Sequence, residues 1–313
     1  MEYRRLGQTD LHASAIGFGC NRIAQASSTG ERRAVVSTLE QALDCGINFF
    51  DTADSYDHGA SERLLGSVFR SQRDRVILCS KGGYRSWPVL MLDRWLPAGL
   101  LHRVRPPRLA SRGRGTDRTR RHSFTPRFIS MAIEGSLRRL GTDHLDVFYL
   151  HSPPAGALGD DALFEILARL RQKGWIRYYG ISCAEGATTE FVLAAVQQPG
   201  ISVLQMMVNP LASVDLKRIL PRAAELGVAV VGRQPFHRGT AFGSQPLAGM
   251  LSEHKERTPA QTLLRSVLQL RGVDVALVGM RSSGHLAENI AALSGPPLSA
   301  DDMERLYAGT RTR

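Results

Sequence analysis

The chain has 313 residues, 43% of them hydrophobic and 22% charged, the balance of an ordinary globular protein long enough to bury a sizeable core. No apolar run approaches the roughly 18 residues of a membrane span, and the opening "MEYRRLGQTD" lacks the apolar stretch of a secretory signal, so a cytoplasmic location is expected. The formal net charge of +11 is concentrated rather than spread: ten arginines between Tyr84 and His122 face only Asp93 and Asp117 and account for eight of the eleven charges. The four cysteines, Cys20, Cys45, Cys79 and Cys183, lie far apart with no C-x-x-C pair, which argues against a metal site and for reduced thiols.

The segment "MEYRRLGQTDLHAS" reads as a short hairpin. Eight apolar runs follow: 15–19, 47–50, 75–80, 145–150, 176–182, 201–205, 228–232 and 273–279. They are rich in Val, Ile, Phe and Tyr and do not alternate with polar residues, as parallel strands buried on both faces do not. Helical patterns lie between them, and several end in a basic residue followed by Gly. "TPRF" and "TPAQ" place Thr at an N-cap and Pro at the first helical position. This alternation predicts an α/β fold, a (β/α)8 TIM barrel, with the opening hairpin closing its floor and "SADDMERLYAGT" as an extra C-terminal helix. An open doubly wound sheet is the alternative, but no G-x-G-x-x-G follows the first strand. One barrel domain is expected to span 1–313.

Strands recur about every thirty residues except between the third and fourth, where the gap is about seventy. The excess, 84–122, is the Arg-rich stretch, broken by Pro and Gly, and it predicts an inserted loop at the catalytic face. Its few aromatics do not suit a nucleic-acid surface, so no nucleic-acid partner is expected; the arginines would instead attract an anionic substrate.

In such a barrel the C-terminal strand ends surround the active site. Asp51 ends the second run, Lys81 the third and His151 the fourth, with Tyr56 one loop above Asp51. These groups suit proton transfer to a carbonyl oxygen. A nearby Lys⁺ is expected to lower the Tyr56 pKa, Asp51 to hold Lys81, and His151 to hydrogen-bond the substrate oxygen. None of them supplies hydride, so a cofactor must.

"YRRLGQTDLHASAIGFG", "INFFDTADSYDHGASERLLG", "SKGG", "SLRRLGTDHLDVFYLHSPP", "QKGWIRYYGIS", "LQMMVNP", "GVAVVGRQPFHRG" and "VGMRSSGHLAEN" together resemble the aldo-keto reductase family, in its bacterial form, over nearly the whole chain. The resemblance implies the barrel fold, the tetrad Asp51, Tyr56, Lys81 and His151, and a nicotinamide cofactor bound without a Rossmann motif. It implies NADPH, favoured over NADH by Arg281 at the position that contacts the 2′-phosphate. Ser182 and Gln205 fall on the carboxamide contacts, with Cys183 where the family has Asn. Arg233 stands where many members stack an aromatic residue on the nicotinamide, and either stacking or another role is open to it. Pro235, Phe236, Arg238 and Gly239 match the segment around the pyrophosphate. Gly279, His285, Glu288 and Asn289 match the adenosine-binding segment, and Gly19 and Asn21 approach the cofactor from the first strand.

The expected activity is NADPH-dependent reduction of an aldehyde or ketone, or the reverse on an alcohol or sugar, with Tyr56 as general acid/base. A regulatory subunit that binds NADPH with little turnover is the alternative. The expected partner is a small carbonyl compound, and a monomer is the family default.

Overall fold

The computed structural model describes residues 1–84, 122–244, 257–308 and Ala248; the predicted insertion, apart from Tyr84 and His122 at its ends, lies outside the described residues. Tyr3–Arg5 (β1) and His12–Ser14 (β2) form the antiparallel hairpin, with Tyr3 opposite Ser14. The eight barrel strands are Ile16–Gly19 (β3), Phe49–Asp51 (β4), Ile77–Gly82 (β5), Leu145–His151 (β6), Ile176–Ser182 (β7), Ile201–Met207 (β8), Ala229–Arg233 (β9) and Val275–Val278 (β10). They run parallel in the order β10-β3-β4-β5-β6-β7-β8-β9. The pairing Ala276↔Ile16 closes the ring, which sets aside an open sheet.

Side chains on a strand alternate between faces, and here the alternation separates two cores. Phe50, Leu78, Phe148, Ile181, Leu204 and Val230 face the surrounding helices. Phe49, Ile77, Cys79, Val147, Tyr149, Val203, Ala229 and Val231 fill the barrel interior. Leu6, Leu11 and Ala13 of the hairpin segment join that interior cluster and plug the floor. Two residues beyond each interior residue, the same inward face continues to Asp51, Lys81, His151, Gln205 and Arg233. The barrel's own pleat therefore delivers these groups to one mouth.

The helices start as their sequences demand. Thr125 accepts a hydrogen bond from the Phe128 amide with Pro126 in the first turn. Thr258 and Gln261 cap each other's backbone in a capping box. The C-terminal helix, Ala300–Tyr307, is held by a box between Ser299 and Asp302.

At the floor, Asp146 near the start of β6 accepts from Arg73 Nη2 at 2.7 Å, Arg177 Nη1 at 2.8 Å and the Leu78 amide at 2.9 Å. Arg177 and Tyr178 also hold Asp10 of the hairpin turn. Among the described residues no helix is long and apolar enough to cross a membrane, and no group of three potential metal ligands is found.

Candidate active site

Asp51, Lys81 and His151 are the last or near-last residues of their strands rather than lying beyond them. Asp51 and Lys81 are each 1% exposed. Lys81 Nζ donates to Asp51 Oδ2 at 2.6 Å, to the Thr52 carbonyl at 2.8 Å and to Tyr56 Oη at 3.1 Å. An ammonium has three N–H groups, so all three are used. The Tyr56 oxygen accepts from Lys81, which leaves its own O–H to donate into the cleft. The second Asp51 oxygen accepts from Gln205 Nε2 at 2.8 Å, and Gln205 Oε1 accepts from Ser182 Oγ at 2.8 Å. A continuous chain therefore runs from Ser182 to Tyr56 across four strands.

The electrostatics of this chain depart from the sequence expectation in one respect. Burial opposes the charge on Lys81, but the Asp51 carboxylate and the Tyr56 phenol outweigh it, so its pKa is raised and the ammonium persists. Burial likewise raises Tyr56, and Lys81 offsets only part of that rise. Tyr56 is therefore not pushed toward phenolate; it keeps its proton at neutral pH. Burial pushes His151 well below the ordinary histidine value, helped by the cations Lys81 and Arg233 and by His122, so its ring is neutral. The Tyr56 and His151 rings meet edge to face at 6.1 Å.

The turn that carries Tyr56 is braced from below. Tyr56–Gly59 is a short 3-10 segment kinked at Asp57 and His58, whose φ values are +48° and +53°, leading into helix Ala60–Phe69. Glu62, fully buried, accepts from Ser80 Oγ at 2.6 Å and Arg139 Nε at 2.5 Å. Arg139 packs under Gly59, whose φ of +76° suits glycine and where an added Cβ would lie 2.5 Å from Arg139 Cδ. Behind the same turn, burial and the neighbouring Glu62 raise the Asp54 carboxyl to about 8, against the pull of Arg139.

Above these groups opens a cleft of about 1450 Å³. Asp51, Tyr56 and His151 line it, and so do Gly19, Asn21, Ser182, Cys183, Gln205, Arg233, Pro235, Phe236, Arg238, Gly239, Gly279, Arg281 and His285. Lys81 lies beneath its floor. Glu288 and Asn289 are not brought into the cleft. Asn289 is buried on the inner face of helix Ser283–Ala291, and Glu288 accepts from the Thr258 hydroxyl at 2.8 Å. Both lie one turn further along the helix from His285, on the same side and beyond the cleft wall that Arg281 and His285 share.

Two contacts tie the cleft walls together. Arg233 Nη2 donates to the Cys183 carbonyl at 2.6 Å. Arg238 and Glu185, on loops after β9 and β7, form an ion pair at 2.5 Å. Sequence reading missed the opposite wall. Tyr84 and His122 form an isolated antiparallel bridge, their rings 4.1 Å apart, and Tyr84 packs edge to face on His151 at 4.5 Å. The available signal was an aromatic residue at each end of the insertion, with Phe124 two positions on.

The donor set fits an elongated anionic cofactor that ends in an amide. The Ser182–Gln205 pair offers hydroxyl and amide groups beside Tyr56, while Arg238 and Arg281 bring cations to the outer wall. Gly279 leaves that wall open, since an added Cβ there would meet nothing within 4 Å.

A closed parallel barrel with a buried Asp–Lys–Tyr chain and a neutral histidine at its mouth defines an oxidoreductase class that works on carbonyl groups. The family profile "Aldo/keto reductase family" matches residues 15–308, and the chain belongs to that family. It is 28% identical to the uncharacterized oxidoreductase YqkF of Bacillus subtilis, over 99% of this chain and 97% of that protein. It is 29% identical to D-threo-aldose 1-dehydrogenase of a Pseudomonas species, over 75% of this chain and 70% of that one. Among solved structures, aldo-keto reductase AKR11C1 of Bacillus halodurans in its holo form superposes with a TM-score of 0.76 at 25% identity, covering 98% of this chain and 96% of that one. An aldo/keto reductase of Klebsiella pneumoniae in complex with NADP and acetate superposes at 0.71 and 25% identity, covering 97% and 95%. The chain is accordingly an NAD(P)H-dependent oxidoreductase acting on carbonyl or CH–OH groups.

Proposed function

We propose that this enzyme is an NADPH-dependent reductase of aldehydes or ketones in which Tyr56 delivers the proton. The observation that carries this reading is the Tyr56 hydroxyl, protonated by burial and held 3.1 Å from a permanently charged Lys81. When bound, the cofactor supplies the hydride to the carbonyl carbon. The protein's own groups do the rest. The substrate oxygen sits between Tyr56 and His151, and the neutral His151 ring offers it one N–H. As negative charge develops on that oxygen, the Tyr56 proton moves to it, and Lys81 stabilises the phenolate left behind. Asp51 keeps Lys81 charged and aimed. Alcohol oxidation retraces the same steps, and the sugar dehydrogenase among the relatives supports that direction for this site too.

Residues Ser182 and Gln205 would hold the nicotinamide amide, while Arg238 and Arg281 would hold the phosphates. Arg281 and the NADP-bound Klebsiella relative support NADPH over NADH. The test is a panel of neutral and anionic aldehydes and ketones with each cofactor, followed by cofactor absorbance. Turnover is expected with NADPH, several-fold faster than with NADH. Tight NADPH binding with no turnover on any carbonyl would overturn the catalytic reading and leave a cofactor-binding protein.

A further inference from the structure

Arg233 is the last residue of β9 and lies opposite Met207 in the sheet register, one inward position beyond Val231, which is opposite Gln205. Its guanidinium reaches the Cys183 carbonyl beyond β7, so the side chain crosses the end of β8 over Gln205. The contact fixes the charge in place, and its field reaches both Tyr56 and His151. The carboxylates lining the cleft are otherwise engaged. Asp51 is bound by Lys81, Glu185 by Arg238, and Asp160 caps its helix at the Leu163 amide. Among the described residues, no carboxylate forms an ion pair with Arg233. It is half-buried, so water screens it less than an exposed charge.

The position of this cation matters because of what must lie beside it. Hydride transfer needs donor and acceptor carbons within about 3.5 Å. The acceptor's oxygen is at Tyr56 and His151, so the nicotinamide ring lies in the same part of the cleft, against the Ser182–Gln205 wall that Arg233 crosses. This placement rests on the function proposed above. The ring is neutral when reduced and carries one positive charge when oxidised. The phosphates and adenosine are the same in both forms.

We infer that Arg233 is a specificity residue for the cofactor's redox state: a fixed cation that favours the reduced ring over the oxidised one and so loads the enzyme with reduced cofactor and speeds release of the spent one. An aromatic residue at this position would stack on either form without that discrimination. Repulsion between two unit charges at a partly screened site sets the expected effect at about tenfold.

The experiment is calorimetric titration of NADPH and of NADP⁺ into the wild type, Arg233→Gln and Arg233→Lys. Taking the ratio of the two dissociation constants cancels the shared phosphate contacts. The wild type should bind NADPH more tightly. Arg233→Gln should reduce that preference by about tenfold, equal to about 30 mV for a two-electron couple, and Arg233→Lys should retain most of it. An unchanged ratio in Arg233→Gln, or an equal fall in Arg233→Lys, would overturn the inference while leaving the proposed function standing. Failure of the wild type to bind either form would overturn the proposed function, and the inference with it.

Discussion

The barrel has a buried ion cluster at each end, and the two are built differently. At the floor, one carboxylate, Asp146, is held by two arginines and a backbone amide, and the arginines continue to solvent or to Asp10. Every strong group there is matched, and the result ties β5, β6, β7 and the hairpin turn together. At the mouth, Asp51 and Lys81 are equally matched, but the chain ends in groups with capacity to spare. Tyr56 has a proton to give, His151 Nδ1 is buried with no hydrogen-bond partner, and Arg233 Nε is likewise unpartnered. Buried polar groups are normally satisfied. A cluster that leaves its terminal groups open beside a cleft is arranged for a ligand rather than for cohesion alone.

The comparison can be broken most severely with Lys81→Met. That change strands the Asp51 carboxylate in the interior and should cost about 3–5 kcal/mol of stability, while turnover falls by about 10³ or more because the phenolate loses its counter-charge. Denaturant titration alongside turnover measures both. Asp146→Asn should separate them. Its arginines are 19% and 38% exposed and can turn to water, so the stability loss should be smaller, about 2 kcal/mol, with turnover per folded molecule unchanged within about twofold. A large loss of turnover in the folded Asp146→Asn protein would mean that the two clusters are not separable.

Two pH profiles sharpen the contrast. With His151 depressed well below its ordinary value of 6.5, the turnover profile for reduction should show no inflection near 6.5. An inflection there would mean that the histidine titrates as a free imidazole. The Asp54 carboxyl runs the other way. Its pKa is raised from 3.8 to about 8, so the folded state holds a proton that the unfolded state releases. Stability is therefore full below about 4 and declines as pH rises toward 8. Asp54→Asn should flatten that decline, the smallest of these effects, read from denaturation midpoints across the range.

Much of the fold was legible because a parallel barrel buries its strands on both faces. Uninterrupted runs such as "LDVFYL" and "IRYYGIS" cannot belong to a half-exposed sheet, and the predicted limits of 176–182 match β7. Other boundaries slipped by a residue or two, as with β5, which extends to Gly82 and takes Lys81 inside the strand. Asp51, Lys81 and His151 stood out because an ionisable residue on the inward phase of an apolar strand has few reasons to be there. What the sequence could not convey was balance. The net rise in the Tyr56 pKa comes from burial winning over Lys81, and burial depends on the packed turn. Glu62 and Arg139 meet across 77 residues of sequence, and Tyr84 meets His122 across the insertion. Neither pair leaves a local pattern. Glu288 and Asn289 matched a motif, but Glu288 is engaged by the Thr258 hydroxyl and Asn289 is buried, a turn beyond the cleft wall.

The most direct test of the account is Tyr56→Phe, which removes one hydroxyl and keeps the ring against Lys81 and His151. Single-turnover oxidation of bound NADPH by excess aldehyde should slow by about 10²–10⁴, with NADPH affinity and the denaturation midpoint close to the wild type. A variant that oxidises NADPH at the wild-type rate would contradict the assignment of Tyr56 as the proton donor.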